Sequence, residues 1–208
     1  EWRPVDIYIL AGESSFADSF VNPAKAINSN VSITLNCLEY IRNRACEIRF
    51  FNASSSECFG YQGGFPANET TPFQPISPYA VGKACAYWLT KTYREAYGIF
   101  ACSAIMFNHE SRLRGSHFVS QKIVTAARLI SERRIEKLEL GNLDIERDWG
   151  WAPEFVDGIY RIMQHRTADD FVLATGESNK LAKFVDAAFN YYGLNWEDWV
   201  VSEEKLLR

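Results

Sequence analysis

No run of apolar residues in this chain reaches the roughly 18 needed to cross a membrane, and the longest candidate, Gly98–Phe107, has the length of a buried strand. The first residues carry no signal-peptide pattern, so a cytoplasmic protein without a membrane partner is expected. Cysteine is sparse: Cys37, Cys46, Cys58, Cys85 and Cys102 are odd in number and form no Cys-x-x-Cys pair, which excludes a disulfide framework and leaves reduced, buried thiols. A basic excess is also missing. With 22 Lys and Arg against 26 Asp and Glu, the net charge of -4 excludes the footprint of a general nucleic-acid or membrane-surface binder. Any anionic ligand must therefore meet a local cluster of cations. There is no internal repeat, no low-complexity segment and no metal site to be read from these residues.

What is present is an ordinary globular composition. A chain of 208 residues suits one domain or one and a half, and 47% hydrophobic residues can bury a sizeable core. Strand and helix patterns alternate along it. Val5–Gly12 is a continuous apolar strand of the kind a parallel sheet covers on both faces. Asn22 and Pro23 open a helix with Ile27, Val31, Leu35 and Leu38 at helical spacing, and the strand Ile48–Phe51 follows. The segment from Gly60 to Pro75 holds too many Gly and Pro residues for a regular element. Ile99–Phe107 reads as a strand, and Ser116 as the cap of a helix with Val119, Ile123, Ala126 and Ile130 inward. Glu136–Leu140 reads as a half-exposed strand. Pro153–His165 reads as a helix facing inward with Val156, Ile159, Tyr160 and Met163. Phe171–Ala174 is a short strand, and Ser178–Tyr192 a last helix. The alternation predicts an α/β fold with a parallel sheet and right-handed crossovers.

Two stretches carry chemistry. Asn52–Gly60 follows a buried strand, so Ser55 and Glu57 stand where the strand opens into a loop. Downstream, Ser77 caps a helix with Pro78 at its first position, and Val81, Cys85, Trp88 and Leu89 form an apolar stripe along it. Tyr79 and Lys83 then lie one turn apart on one face. A tyrosine with a pKa of about 10 is a poor base at neutral pH. A lysine ammonium one turn away favours its phenolate, and a serine hydroxyl nearby can orient the phenol and bond a substrate oxygen. Ser55, Tyr79 and Lys83 thus make a set for oxidising an alcohol. In isolation a Tyr-x-x-x-Lys pair is as often a packed ring beside a solvated charge; the Ser-Pro turn before it and the serine cluster upstream give it weight here.

At these residues the chain resembles the extended short-chain dehydrogenase/reductase superfamily and, within it, the GDP-mannose 4,6-dehydratase family. The likeness also runs through Glu69-Thr70-Thr71-Pro72-Phe73, Ala86-Tyr87-Trp88, Arg94-Glu95-Ala96-Tyr97 and Phe107-Asn108-His109-Glu110-Ser111. Gly141-Asn142-Leu143-Asp144, Arg147-Asp148-Trp149-Gly150 and Ala174-Thr175-Gly176-Glu177 extend it over nearly the whole chain. It implies a Rossmann-like sheet, incomplete at its amino terminus because no Gly-rich pyrophosphate-binding turn occurs, with a smaller carboxyl-terminal substrate region. Residues 1–115 would be the second part of the NADP-binding domain, and 116–208 mainly the substrate-binding region.

The resemblance implies NADP-dependent oxidation of GDP-mannose, or a close GDP-sugar, at C4. Tyr79 would take the hydroxyl proton, Lys83 support the phenolate and Ser55 bond the developing carbonyl. Glu57 would then eliminate water across C5 and C6 before the hydride returns to C6. Related epimerases carry a small or apolar residue where Glu57 stands. Leu10, Ala11, Gly12, Lys83, His109 and Arg114 match residues that line the cofactor, although Gly12-Glu13-Ser14-Ser15 departs from the usual Ala-Gln-Ser-His. Arg112-Leu113-Arg114-Gly115 likewise stands where the family has Pro-Arg-Arg-Gly. Asn108, Lys122 and Arg147 are candidates for the substrate diphosphate, and Arg208 falls near another diphosphate-binding arginine. Trp149 and Trp151 are expected to place at least one ring in the core. A homodimer or homotetramer is implied. The alternatives are a UDP-glucuronate decarboxylase-like enzyme and a non-catalytic remnant or scaffold subunit. The residues given are expected to hold NADP weakly and to be inactive by themselves, since the turn that lays a pyrophosphate on a helix N-terminus is not among them.

Overall fold

The computed structural model describes residues 5–44 and 47–203. Cys46 and Arg208 lie outside the described residues. In chain order the elements begin with β1 (Asp6–Ile9), α1 (Phe16–Val21), α2 (Pro23–Arg44), β2 (Arg49–Ser55), α3 (Pro78–Tyr97), β3 (Ala101–Met106) and β4 (Asn108–Glu110). They continue with α4 (Val119–Ser131), β5 (Leu138–Leu140), β6 (Glu146–Trp151), α5 (Ala152–Met163), β7 (Asp170–Leu173), β8 (Ser178–Lys180), α6 (Leu181–Asn190) and β9 (Val200–Ser202). The chain divides into two compact units, Glu1–Phe107 with Glu154–Leu173, and Asn108–Pro153 with Ala174–Arg208.

The first unit is built on a parallel sheet of order β1-β2-β3-β7. Side chains alternate across a strand, so neighbours on β2 serve opposite layers. Phe50 packs with Leu38, Ile41 and Tyr93 of α2 and α3, whereas Phe51 and Ala53 pack with Phe155, Ile162 and Met163 of α5. The sheet is therefore covered on both faces at its centre. Helix α3 starts where the sequence predicts: Ser77 accepts a hydrogen bond from the Ala80 amide at 3.1 Å and Pro78 takes the first position. Such a cap contributes about 1 kcal/mol. Gly98, with φ 66°, ends it. The far end of α3 is tied to the sheet by Arg94, which donates to both oxygens of Asp170 at 3.0 and 2.5 Å and to the Ala101 carbonyl at 2.8 Å.

The second unit has a core of Ile123, Ala127 and Ile130 from α4 with Leu181, Val185 and Phe189 from α6. Strand β6 pairs in parallel with β4 and antiparallel with β8, while β5 and β9 form a separate parallel pair. Among the described residues no helix is long and apolar enough to cross a membrane.

Several local expectations are corrected by packing. Strand β1 is shorter than Val5–Gly12, and among the described residues it pairs with β2 alone, with Tyr8 39% exposed. The α3 stripe Val81, Cys85 and Trp88 faces outward; Ala80, Ala84, Tyr87 and Tyr93 are buried instead, since small residues allow the close packing against α2. Cys85 is accordingly an exposed thiol, whereas Cys58 and Cys102 are buried and Cys37 half-buried. On α2, Leu38 is buried as expected, but Ala26, Asn30 and Thr34 are buried ahead of Ile27, Val31 and Leu35, which are half-buried beside them. On α5, Ile159 and Met163 pack inward as expected, whereas Val156 and Tyr160 are exposed and Phe155 and Ile162 are buried in their stead. Ser116 does not cap α4; the helix begins at Val119 after an uncapped Phe118, because 115–118 forms a turn closed by the Phe118 amide on the Gly115 carbonyl. Residues 178–180 are strand β8 rather than helix, drawn out by pairing with β6. Helix α1 and strand β9 have too few periodic residues to be legible in the sequence.

Candidate functional site

The groups suited to proton transfer collect at the carboxyl end of β2 and the first turns of α3. Ser55 is the last residue of β2 and is 8% exposed. Its Oγ accepts a hydrogen bond from the Glu57 amide at 3.3 Å, which turns the chain from the strand into the one-turn 3-10 helix Ser56–Phe59. That bond fixes the hydroxyl and sets Glu57, half-buried, two residues beyond it. Tyr79 and Lys83 stand one turn apart on α3, with the lysine Nζ 5.9 Å from the centre of the tyrosine ring.

Lys83 joins the two segments. Its ammonium is buried and donates to the Ala53 carbonyl of β2 at 3.0 Å, so the first turns of α3 are pinned to the strand that ends in Ser55. Burial pushes its pKa down to about 8, because a charge removed from water is disfavoured. The Cys58 thiol is itself pushed up to about 11 by burial and stays neutral, with its Sγ 3.7 Å from Ser54 Oγ and 3.8 Å from the Ala80 carbonyl. A tyrosine beside a lysine that can hold or release its proton near neutrality, next to a fixed hydroxyl and a carboxylate, can move protons to and from a substrate alcohol.

The loop after β1 belongs to the same sheet end, where open parallel sheets bind ligands. Leu10, Ala11 and Gly12 are exposed there. The loop is held by Asn30 of α2, whose Nδ2 donates to the Glu13 carbonyl at 3.2 Å and to the Ala26 carbonyl at 2.9 Å. A Cβ at Gly12, where φ is +124°, would stand 2.5 Å from Asn30 Oδ1, so only glycine lets the loop lie this close. Glu13 points away to Lys25 at 3.2 Å, and that bond holds its carboxyl below the usual range. Gly82 serves α3 in a similar way: a Cβ there would lie 3.1 Å from the Ala26 carbonyl and 3.4 Å from Asn30 Cβ. Sequence reasoning misses Asn30 and Gly82. Their only signal is a polar residue on the buried stripe of α2 and a glycine beside Lys83 inside a helix.

The remaining candidates fall in the second unit. Asn108 and His109 are half-buried on β4, and Asn108 is registered against Trp149 of β6. Arg114 lies over the Phe118 ring at 3.6 Å, with its Nε 3.3 Å from Glu110, whose carboxylate also accepts from Ser120 Oγ at 2.6 Å. Arg147 is exposed on β6 and donates to the Glu146 carbonyl at 2.8 Å. Lys122 lines a cleft of about 410 Å³ with Ser116, Thr125, Lys137 and Glu139, and its Nζ donates to the Glu139 carbonyl at 2.6 Å. Trp149 packs on Phe184, whereas Trp151 is 61% exposed. Asn108 and Arg147 thus stand on adjacent strands, while Arg114 meets the end of β4 through Glu110 and Lys122 lies on α4.

Comparison with known proteins gives these positions a context. A family model described as GDP-mannose 4,6 dehydratase matches residues 1–207. GDP-mannose 4,6 dehydratase 2 of Arabidopsis thaliana is 41% identical over 210 residues, covering 99% of this chain and 56% of that protein. GDP-mannose 4,6-dehydratase of Sinorhizobium fredii is 46% identical, with 95% of this chain and 57% of the relative covered. The chain spans about half the length of the curated relatives it matches. Among solved structures, RMD from Pseudomonas aeruginosa complexed with NADPH superposes with a TM-score of 0.88 at 23% identity, over 99% of this chain and 72% of that one. A dTDP-glucose 4,6-dehydratase from Bacillus anthracis in complex with NAD gives 0.81 at 21% identity, over 95% and 60%. At that identity the structures speak for the fold: the α/β class that the alternation predicts and the Rossmann-like sheet that the resemblance implies.

Proposed function

Since the chain belongs to the GDP-mannose 4,6 dehydratase family, we propose that the protein it is part of converts GDP-mannose, or a close GDP-sugar, to the GDP-4-keto-6-deoxy sugar with NADP as the cofactor. The observation that carries the reading is the bond from Lys83 to the Ala53 carbonyl, which holds the Tyr79 helix against the strand ending in Ser55 and Glu57. A merely solvated lysine would not be buried there.

The residues of the β2/α3 end and the Gly12 cradle fit the nicotinamide end of such a cofactor, with Leu10, Ala11, Gly12 and Lys83 as its contacts. His109 and Arg114 are assigned to it by family match. When bound, NADP would accept the hydride from C4 and supply it again to C6, and the proton that Tyr79 has taken from the C4 hydroxyl would pass to C5, which leaves cofactor and tyrosine as they began. Tyr79, as phenolate, takes the C4 hydroxyl proton, and the Lys83 ammonium one turn away lowers the cost of the phenolate. Ser55 donates its hydroxyl hydrogen to the carbonyl oxygen as it forms. Once C4 is a ketone the C5 proton is acidic, so the Glu57 carboxylate removes it and then protonates the departing C6 hydroxyl. Asn108, Lys122 and Arg147 offer donors to the diphosphate, where charge-assisted bonds are strongest. In this reading residues 1–115 bind cofactor and carry the chemistry, and 116–208 mainly bind substrate.

A cytoplasmic homodimer or homotetramer completes the proposal, with the outward stripe Val81, Cys85 and Trp88 on α3 as an apolar surface suited to a second copy. The test is turnover of GDP-mannose by the whole protein. Formation of a 4-keto-6-deoxy sugar without net NADP reduction supports it. A decarboxylated pentose from UDP-glucuronate would favour the decarboxylase, and no turnover of either would favour the scaffold.

A further inference from the structure

Asp148 has no role in the chemistry above, yet it is the charged side chain on β6 that the fold buries, at 6% exposure. Its Oδ1 accepts from the Thr175 amide at 3.1 Å and its Oδ2 from the Gly176 amide at 2.8 Å. Two successive amides converging on one anion form a nest, and here the anion is the protein's own carboxylate. Gly176 has φ +83°, a left-handed conformation that favours glycine, and the Glu177 amide donates to Thr175 Oγ at 3.2 Å to close the turn. Strand β8 starts directly afterwards.

The consequence falls on Arg147. Strands β6 and β8 share only the pairs Glu146↔Lys180, Arg147↔Asn179 and Asp148↔Ser178. So short a ladder specifies its register weakly, and a slip of β8 by one residue would turn its side chains to the opposite face and set Ser178 or Lys180, in place of Asn179, beside Arg147. Asp148 bonds to the chain two and three residues before Ser178, beyond the end of the ladder, and locks the register from outside it. We propose that Asp148 is a positioning residue for Arg147: it holds the Thr175–Gly176 turn so that β6 presents the guanidinium outward to the diphosphate of a nucleotide sugar. The inference rests on the proposed role of Arg147. The chemistry requires an aspartate, because asparagine offers one acceptor and sets its own NH₂ against the second amide.

The test measures GDP binding by calorimetry on the whole protein, for the parent, D148N, R147A and the double variant. D148N and R147A should each weaken GDP binding about tenfold, the scale of one charge-assisted contact. The double variant should be no weaker than R147A, since Asp148 acts through Arg147. Turnover of D148N should show a raised KM with kcat unchanged. Parental GDP affinity in D148N, or losses that multiply in the double variant, would overturn the assignment. Should D148N fail to fold, Gly176→Ala strains the same turn and should raise KM in the parent but not in R147A; an equal rise in both backgrounds would overturn it. A parent that binds no GDP would remove the reading of Arg147 and the positioning role with it, an outcome visible in the parent alone.

Discussion

The two units hold their candidate groups in opposite ways. In the first, Ser55 and Lys83 are each 8% exposed and bonded to backbone, Ser55 to the Glu57 amide of the adjoining turn and Lys83 to the Ala53 carbonyl of β2. In the second, Lys122 and Arg147 are exposed and their bonds run to carbonyl groups on the surface. Proton transfer needs a pKa shifted away from its value in water, and burial is what shifts it. Recognition of an anion needs cations that remain charged, and exposure keeps them so. The same contrast separates the ion pairs. Arg94–Asp170 is buried and fastens α3 to β7, whereas Lys180–Asp144 lies open to solvent.

The sharpest test of that contrast is Glu57→Gln, which keeps shape and removes the base. Dehydration by the whole protein should fall by at least about 10²-fold, while GDP binding, assigned to the second unit, stays unchanged. Turnover at the parental rate would place the elimination on another residue. Next in size is Arg94→Ala, which leaves Asp170 buried without its partner and should cost about 3–5 kcal/mol in denaturant unfolding.

Lys83→Met reverses the sign. The folded pKa of Lys83, about 8, lies below its ordinary 10.5, so between those values the unfolded chain binds a proton that the folded chain has released. Stability therefore rises with pH across that window, and below it the buried charge is a full cost. Relative to the parent, the variant should be favoured most below pH 8 and should lose about 3 kcal/mol of that relative stability as pH rises from 8 to 10.5, the lost bond to the Ala53 carbonyl being a constant offset, although turnover is lost. In the parent, turnover should decline as pH passes about 8 and the ammonium deprotonates. A gap that stayed constant with pH would show that Lys83 carries no buried charge. The smallest effect is expected from Lys180→Ala, since exposed pairs contribute little; the melting midpoint should not move measurably, and a clear fall would erase the distinction between the two ion pairs.

Much of this was legible in the linear chain. Local chemistry settles the start of α3, because Ser77 and Pro78 act within one turn, and the i, i+4 spacing puts Tyr79 and Lys83 on one face wherever the helix packs. Strand β2 opening into a serine cluster follows from an apolar run meeting polar residues, and the alternation of strands and helices yields the parallel sheet. Family likeness at nearly every block added the roles. The tertiary structure alone decided which stripe of α3 is buried, because the Gly82 face meets α2 and leaves Val81, Cys85 and Trp88 outside. It also decided that Asn30 grips the loop after β1, that Lys83 reaches the Ala53 carbonyl, and that Asp148 sits in the Thr175–Gly176 nest. Each of these is a contact between residues 17 to 30 positions apart. Helix periodicity and turn propensity act over a few residues, so such partners are chosen by how the packed elements meet and not by their neighbours in the chain.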